Sequence, residues 1–135
     1  MSKSNGANGA GGERILRLMI VDDSNIIRRR IERSQQHARL QVVGSAANGR
    51  EAVELFQKTN PDVVTMDLTM PEMDGIQCVE RLVTMKPEIL ILVVSALADK
   101  ATAVEAIEKG ANGFLCKPFS DRQLNDALAE LLKET

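Results

Sequence analysis

The stretch that decides how this chain folds is DVVTMDLTMPEMDG, residues 62–75. It opens with a short apolar run over 62–66 that stops at Asp67, and the turn-forming residues Pro71 and Asp74-Gly75 follow. The run is nearly continuous in apolar residues rather than alternating, as is usual for strands that are buried on both faces. We therefore predict a buried strand that ends at a carboxylate.

Four further apolar runs resemble this one, and stretches of helical period separate them. The runs cover residues 17–21, 41–46, 89–94 and 113–116. Two capping boxes, at Asn48 with Glu51 and at Ser120 with Gln123, predict helix starts, as does a cap at Asp99. Five β–α units in succession predict an α/β fold, a doubly wound five-stranded parallel sheet with helices on both faces.

The composition is that of one globular domain. The chain has 135 residues, of which 44% are apolar and 27% charged, and its formal net charge is −2. This charge provides no attraction for nucleic acid or an anionic membrane, and no apolar run reaches the ~18 residues that span a bilayer. We expect a folded domain over 15–135 after a flexible, Gly-rich tail over 1–14, which lacks the apolar segment of a signal peptide.

Cysteine and histidine are scarce. Cys78 and Cys116 fit a reduced, cytoplasmic chain better than a disulfide framework, and Cys116 is expected to be a small buried side chain in its strand. His37 is the only histidine, which argues against a zinc site. The first helix also carries a basic cluster, which we interpret as a solvated face, formed by Arg28, Arg29, Arg30 and Arg33.

Side chains that can do chemistry cluster at the ends of the predicted strands. Asp22-Asp23 follow the first strand and Asp67 the third, while Ser95 follows the fourth and Lys117 the fifth. The carboxyl ends of parallel strands share one edge of the sheet, where α/β folds place their sites. Each residue alone has an ordinary explanation, as a helix cap, a turn residue or a solvated lysine. Their coincidence at four strand ends favours a functional site.

The residue types in this set indicate which chemistry the site would perform. Three carboxylates at close range repel one another unless a cation lies between them, and an all-oxygen ligand set favours Mg²⁺. A carboxylate beside a metal can act as a nucleophile toward phosphorus. The Lys117 ammonium can neutralise one phosphoryl oxygen, and the Ser95 hydroxyl can hydrogen-bond another.

Four segments of the sequence resemble the response-regulator receiver family, and chemotaxis-type single-domain receivers in particular. They are VDDS at 21–24, MDLTMPEMDG at 66–75, VSA at 94–96 and KPF at 117–119. The resemblance extends from about residue 17 to 132, and the order and spacing of the motifs both agree. It implies the (βα)5 flavodoxin-like fold with strand order 2-1-3-4-5.

The resemblance also implies a role for each site residue. Asp67 would accept the phosphoryl group, and Lys117 would bind that group, with a cis peptide bond to Pro118. The implied magnesium ligands are Asp23, Asp67, the backbone carbonyl of Thr69 and, through bound water, Asp22. The phosphoryl donor would be a phosphohistidine on a histidine kinase or a phosphotransfer protein.

Further implied residues concern the switch and its lifetime. Ser95 and Phe114 would form the switch pair that signals to a downstream protein target through the fourth helix, fifth strand and fifth helix. Phe114 cannot donate a hydrogen bond, unlike the tyrosine that many chemotaxis-type receivers have there. Thr69 and Leu97 would border the path of the hydrolytic water, and because Leu97 is apolar we expect slow loss of the phosphoryl group. A separate phosphatase could then provide the reset.

Other classes of protein remain alternatives at this point. A haloacid-dehalogenase-type phosphatase combines similar residues, but it begins with a DxD nucleophile motif, whereas here Asp22-Asp23 come first and Thr69 lies two residues after Asp67. A flavin carrier of the same fold would need a Ser/Thr/Gly-rich phosphate loop and usually aromatic residues, yet the chain has no Trp or Tyr. A receiver could also be a phosphate sink or part of a larger regulator.

Overall fold

The computed structural model describes residues 14–70, 73–96 and 100–133, and five strands alternate with five helices along them. In chain order the elements are β1 Leu16–Val21, α1 Asn25–Ser34, β2 Leu40–Ala46, α2 Gly49–Thr59, β3 Val63–Met66, α3 Gly75–Met85, β4 Leu90–Ser95, α4 Lys100–Glu108, β5 Gly113–Cys116 and α5 Asp121–Leu132. Each predicted strand agrees with an observed one to within one residue at either end. Of the expected tail over 1–14, residues 1–13 lie outside the described residues.

The strands form one parallel sheet in the order β2-β1-β3-β4-β5, so the predicted fold class and strand order are confirmed. The direction of winding reverses between β1 and β3, which are adjacent although β2 lies between them in the chain. Doubly wound sheets open a crevice at such a reversal, beyond the carboxyl ends of the strands. The fold therefore places Asp22 and Asp67, which follow β1 and β3, on the two sides of that crevice.

Helices cover both faces of the sheet, and β1 shows how the sequence achieves this. Leu18 and Ile20 pack in the cluster that includes side chains of α1 and α5, whereas Met19 and Val21 pack in the cluster with α2, α3 and α4. All four side chains are fully buried, and each stabilises the fold by about 1.5–3 kcal/mol relative to exposure. A strand with apolar residues on both faces is the expected result of this double cover.

Side-chain caps fix where four of the helices begin. The Asn48 side chain accepts a hydrogen bond from the Glu51 amide, and Ser120 and Gln123 form the complete capping box that the sequence predicts. The box at Asn48 is only half formed, because the Glu51 carboxylate accepts from the Ala47 amide instead of the cap residue's own amide. Each cap contributes about 1 kcal/mol. Ser24 and Asp74 cap α1 and α3 in the same way. The predicted cap at Asp99 lies outside the described residues.

Two expectations about exposure are wrong. Cys116 is exposed rather than buried, because β5 is at the edge of the sheet and its end is only partly covered. The basic cluster on α1 is not uniformly solvated, since Arg28 and Arg30 are half-buried and contact other parts of the chain. Among the described helices, none has the length and apolar character needed to cross a membrane.

Candidate functional site

Pairing of β1 with β3 brings two carboxylates together at the carboxyl edge of the sheet. Val21 lies opposite Met66, and the Asp67 amide donates a hydrogen bond to the Val21 carbonyl across 2.9 Å. Carboxylate oxygens of Asp22, Asp23 and Asp67 all lie within 4.8 Å of one another, a grouping that could hold a metal ion. The predicted convergence of these three side chains is therefore present in the structure.

The three carboxylates differ in exposure, and this affects their charge. Asp22 and Asp67 are 1% exposed, whereas Asp23 faces solvent. Burial raises the pKa of Asp67 above its ordinary value, the charge of Asp22 raises it further, and the charge of Lys117 opposes both. Burial and the neighbouring carboxylate together thus outweigh the attraction of Lys117, and the charged form of Asp67 is disfavoured.

Lys117 reaches into the site from the end of β5. Its Nζ lies 2.7 Å from Asp22 Oδ2 and 3.5 Å from Asp67 Oδ1, so it is paired more closely with Asp22 than with Asp67. Its amide donates to the Ser95 carbonyl at 3.0 Å, and the bond from Lys117 to Pro118 is cis, as the family resemblance implies. The lysine is therefore attached to β4 through its backbone and to the carboxylates through its side chain.

One oxygen of Asp67 has no partner among the described residues. Asp67 Oδ2 is buried without a hydrogen bond, while Oδ1 has the Thr69 hydroxyl at a long 3.4 Å and the Lys117 ammonium. A buried, unsatisfied carboxylate oxygen is costly, unless another group binds it. Together with the all-oxygen character of the cluster, this oxygen fits a divalent cation or an incoming electrophile.

Asp22 is held by two contacts that no sequence pattern predicts. Its Oδ1 accepts a hydrogen bond from the Ser24 amide at 2.9 Å, so the turn into α1 orients the carboxylate. Its backbone carbonyl accepts from the Arg28 guanidinium at 2.6 Å. The sequence predicts a solvated Arg28, because a position six residues after Asp22 carries no local signal of this contact.

Gly75 lets α3 start directly beneath the Asp67 segment. A Cβ at this position would lie 2.3 Å from the Asp67 carbonyl oxygen and 2.4 Å from Leu68 Cα, and both are backbone atoms. The Gly75 amide donates to the Leu68 carbonyl at 3.0 Å. The dipeptide Asp74-Gly75 predicts only a turn, whereas the structure shows that the missing side chain of Gly75 is what permits the close approach.

Ser95 and Phe114 lie on the neighbouring strands β4 and β5. Ser95 is fully buried at the end of β4, opposite Cys116, and Phe114 pairs with Val93 two residues earlier. Phe114 is half-buried and packs against the cluster on the α2–α4 side of the sheet. The two residues are thus placed on adjacent strands, while Leu97 lies outside the described residues.

His37 is far from this group. It lies in the connection between α1 and β2, and its Nδ1 accepts a hydrogen bond from the Arg39 amide at 3.2 Å. This connection leads to the start of β2, at the amino edge of the parallel sheet. The histidine therefore contributes nothing to the cluster at the carboxyl edge.

Comparison with known proteins identifies relatives of this chain in both sequence and fold. The sequence matches the response regulator receiver domain over residues 18–129. The chemotaxis protein CheY of Thermotoga maritima is 41% identical over 117 residues, which are 87% of this chain and 98% of that protein. A chain in the crystal structure of the CheX–CheY–BeF3–Mg²⁺ complex from Borrelia burgdorferi has a TM-score of 0.81 at 28% identity, covering 86% of this chain and 88% of that chain.

A larger relative contains the same unit. The protein-glutamate methylesterase/protein-glutamine glutaminase of Alkalilimnicola ehrlichii is 44% identical over 108 residues, which are 78% of this chain but 28% of that protein. The family match and the identity with the Thermotoga protein cover nearly all of the described residues, and they agree with the fold and with the carboxylate cluster. The chain belongs to the response regulator receiver family.

Proposed function

We propose that this protein is a phosphorylation-dependent switch in which Asp67 accepts a phosphoryl group from the phosphohistidine of a histidine kinase or phosphotransfer protein. The observation that carries the proposal is the environment of Asp67. Its side chain is buried beside two other carboxylates and Lys117, and its Oδ2 has no partner among the described residues. A structural aspartate would have its oxygens satisfied. The unsatisfied oxygen of Asp67 supports a role in binding a metal ion or a phosphoryl group.

The residues present fit a magnesium ion. Asp23, Asp67 and the Thr69 carbonyl would bind it directly, and Asp22 would act through bound water. When bound, the ion supplies positive charge that offsets the repulsion among the carboxylates and the charge of the phosphoryl oxygens. The similar crystal structure from Borrelia is of a CheX–CheY complex with BeF3 and Mg²⁺, which supports a magnesium ion as the ligand of this chain.

Phosphoryl transfer would proceed at Asp67. An oxygen of its carboxylate forms a bond to phosphorus, the P–N bond of the phosphohistidine breaks, and the imidazole nitrogen keeps the electron pair and takes up a proton. Because only the ionised carboxylate is nucleophilic, the raised pKa of Asp67 matters, and Lys117 favours the ionised form. The Lys117 ammonium and the Ser95 hydroxyl would then hold two of the phosphoryl oxygens.

The signal would leave through the face formed by α4, β5 and α5, toward a downstream protein. Ser95 and Phe114, which lie on the adjacent strands β4 and β5, would connect the site to this face, and the exposure of Val104 and Ile107 on α4, each at 47%, supports a docking role for it. Addition of beryllofluoride and Mg²⁺ should therefore move amide NMR signals from Ser95 through Phe114 to α4. Shifts confined to the segments around Asp23 and Asp67 would contradict this route.

Incubation with acetyl phosphate and Mg²⁺, followed by intact-mass measurement, tests the phosphorylation site. The wild type should gain one phosphoryl group, whereas Asp67→Asn should gain none, because an amide oxygen is a poor nucleophile. Chelation of the metal should abolish labelling as well.

The matched control is Asp62→Asn, which removes a carboxylate at the opposite end of β3 and should label like the wild type. Full labelling of Asp67→Asn would refute the assignment of the site. Labelling that persists with chelator present would refute the dependence on a metal ion.

A further inference from the structure

Arg30 joins α1 to the segment that follows Lys117. Its guanidinium carbon lies 4.6 Å from the centre of the Phe119 ring, and the group also donates a hydrogen bond to the Phe119 carbonyl. It lies 3.7 Å from Asp121 Oδ1 in addition. A planar guanidinium can stack on a ring and donate at its edge at the same time, which a lysine cannot do.

This contact lies two residues beyond the functional lysine. On its amino side, Lys117 is fixed by the hydrogen bond from its amide to the Ser95 carbonyl at 3.0 Å. On the carboxyl side of Lys117, the Phe119 side chain is 3% exposed. It packs in the core cluster that includes α1 and α5, and the Arg30 guanidinium stacks on its ring. The backbone that carries Lys117 is therefore held on both sides, and Arg30 supplies a side-chain contact on the second side.

Helix α1 contacts both chain segments that carry the central ion pair. Arg28 holds the backbone carbonyl of Asp22, and Arg30, two residues later, holds that of Phe119. The ion pair between Lys117 Nζ and Asp22 Oδ2, at 2.7 Å, spans these two segments. A movement of the segment around Phe119 would change where the ammonium lies relative to Asp22 and Asp67.

We propose that Arg30 is a positioning residue for phosphorylation, because its contact with Phe119 sets where the Lys117 ammonium lies. The inference rests on the proposed function, in which Lys117 binds the phosphoryl group. Placement of such a charge matters steeply, since an error of about 1 Å in a reacting arrangement can cost on the order of a hundredfold in rate. Arg30 itself would not touch the phosphoryl group.

A second contact of α1, this one with α5 itself, provides a structural control. The Asn125 side chain donates to the Ser34 carbonyl at 2.8 Å and accepts from the Gln36 amide at 2.7 Å. These bonds join the end of α1 to α5, but they lie on α5 itself, beyond the segment that carries Lys117. Asn125→Ala therefore loosens the packing of α1 on α5 without releasing Phe119.

The experiment compares Arg30→Met with Asn125→Ala by two measurements. The first is the NMR signal of the Lys117 ε-methylene in protein made with ¹³C-labelled lysine, which reports the surroundings of the ammonium directly. The second is the apparent affinity for beryllofluoride at saturating Mg²⁺, read from amide shifts. Arg30→Met should move the Lys117 signal toward that of the exposed Lys133 and weaken beryllofluoride about tenfold. Asn125→Ala should leave both unchanged.

Each other outcome has a definite meaning. An unmoved Lys117 signal in Arg30→Met, or an equal loss of affinity in Asn125→Ala, would overturn the positioning role. If Arg30→Met does not fold, Arg30→Lys replaces it: the charge near Asp121 is kept and the stacking is lost, so the same two changes are expected at smaller size. Failure of the wild type to bind beryllofluoride would instead refute the proposed function, while the Lys117 signal would still test the contact.

Discussion

Asp62 and Asp67 are at the two ends of the same short strand, yet their surroundings are opposite. Asp62 accepts a hydrogen bond from the Arg17 amide at 2.9 Å and has Arg14 and Lys86 at 3.5 and 3.6 Å. Asp67 faces two carboxylates and a lysine that is nearer to Asp22. The amino end of β3 is thus electrostatically satisfied, and the carboxyl end is not.

The pKa values follow the same division. Burial alone would raise the pKa of Asp62, but hydrogen bonding and nearby positive charges bring it below the ordinary value; these come from the Arg17 amide, Arg14 and Lys86. The pKa of Asp67 is instead raised, by burial and by the charge of Asp22. The two carboxylates can therefore be told apart by their neighbours, and only Asp62 has neighbours that favour its charged form overall. One edge of the sheet serves stability and the other carries an electrostatic cost that a ligand can relieve.

Replacing Gly75 should disturb the Asp67 end most strongly. In Gly75→Ala the new Cβ would collide with the Asp67 carbonyl and Leu68 Cα, which are backbone atoms that cannot rotate away. We expect the free energy of unfolding to fall by about 3 kcal/mol, measured by urea denaturation, and labelling by acetyl phosphate to weaken as well.

The control for this change is Gly44→Ala. A Cβ there would lie 3.0 Å from Leu55 Cδ2, the end of a flexible side chain that can shift. Its cost should be well below that of Gly75→Ala. Equal costs for the two variants would show that the close approach beneath Asp67 is not what selects glycine.

If Asp67 is phosphorylated as proposed, the lifetime of the phosphoryl group should depend on Leu97, which the family resemblance places beside the path of the hydrolytic water. Because an apolar residue at this position cannot position a water molecule, we expect a phosphorylated half-life of minutes or longer, and about tenfold faster loss in Leu97→Asn. The measurement is loss of the label after the donor is removed. Leu97→Met keeps the apolar bulk and should decay like the wild type, and decay of the wild type within seconds would count against the hypothesis.

Neutralising Asp62 and neutralising Asp67 should change the free energy of unfolding in opposite directions. For Asp62 the folded pKa lies below the ordinary 3.8, so its stabilisation is present above pH 3.8 and is lost as the pH falls through the lowered value. For Asp67 the folded pKa lies above 3.8, so stability is lost as the pH rises from 3.8 through the raised value.

At pH 7 without divalent ions, Asp62→Asn should therefore lower the free energy of unfolding by about 1 kcal/mol, and Asp67→Asn should raise it by a similar amount. Denaturation at several pH values checks both, and the gain in Asp67→Asn should vanish below pH 3.8. A destabilising Asp67→Asn at neutral pH would mean that the attraction of Lys117 outweighs burial and the two neighbouring carboxylates.

Most of the fold could be predicted because its signals are local. The apolar runs mark the strands, and Ser120 with Gln123 marks the start of α5 within four residues of sequence. The carboxylate cluster could be predicted too, since parallel strands must bring Asp22 and Asp67 to one edge once the strands are assigned.

Contacts between distant residues could not be predicted in this way. Nothing near Arg30 in the sequence indicates that its guanidinium stacks on Phe119, and a basic residue on a helix is usually solvated. Cys116 was expected to be buried because its strand is apolar, but the exposure of an edge strand depends on how far its neighbours extend. The preference of Lys117 for Asp22 over Asp67 is likewise set by distances that only the assembled site defines.

The contacts between α1 and the region around α5 also bear on how the chain reaches and leaves its native state. Arg30 with Phe119 and Ser34 with Asn125 are 89 and 91 residues apart, so each contact closes a loop of most of the chain. Closing such a long loop costs chain entropy, so we expect these contacts to form late, after the transition state of folding. Loosening them should then speed unfolding with little effect on the folding rate. Helix α1, which contacts both Asp22 and the segment after Lys117, would accordingly set how long the domain stays folded before it unfolds.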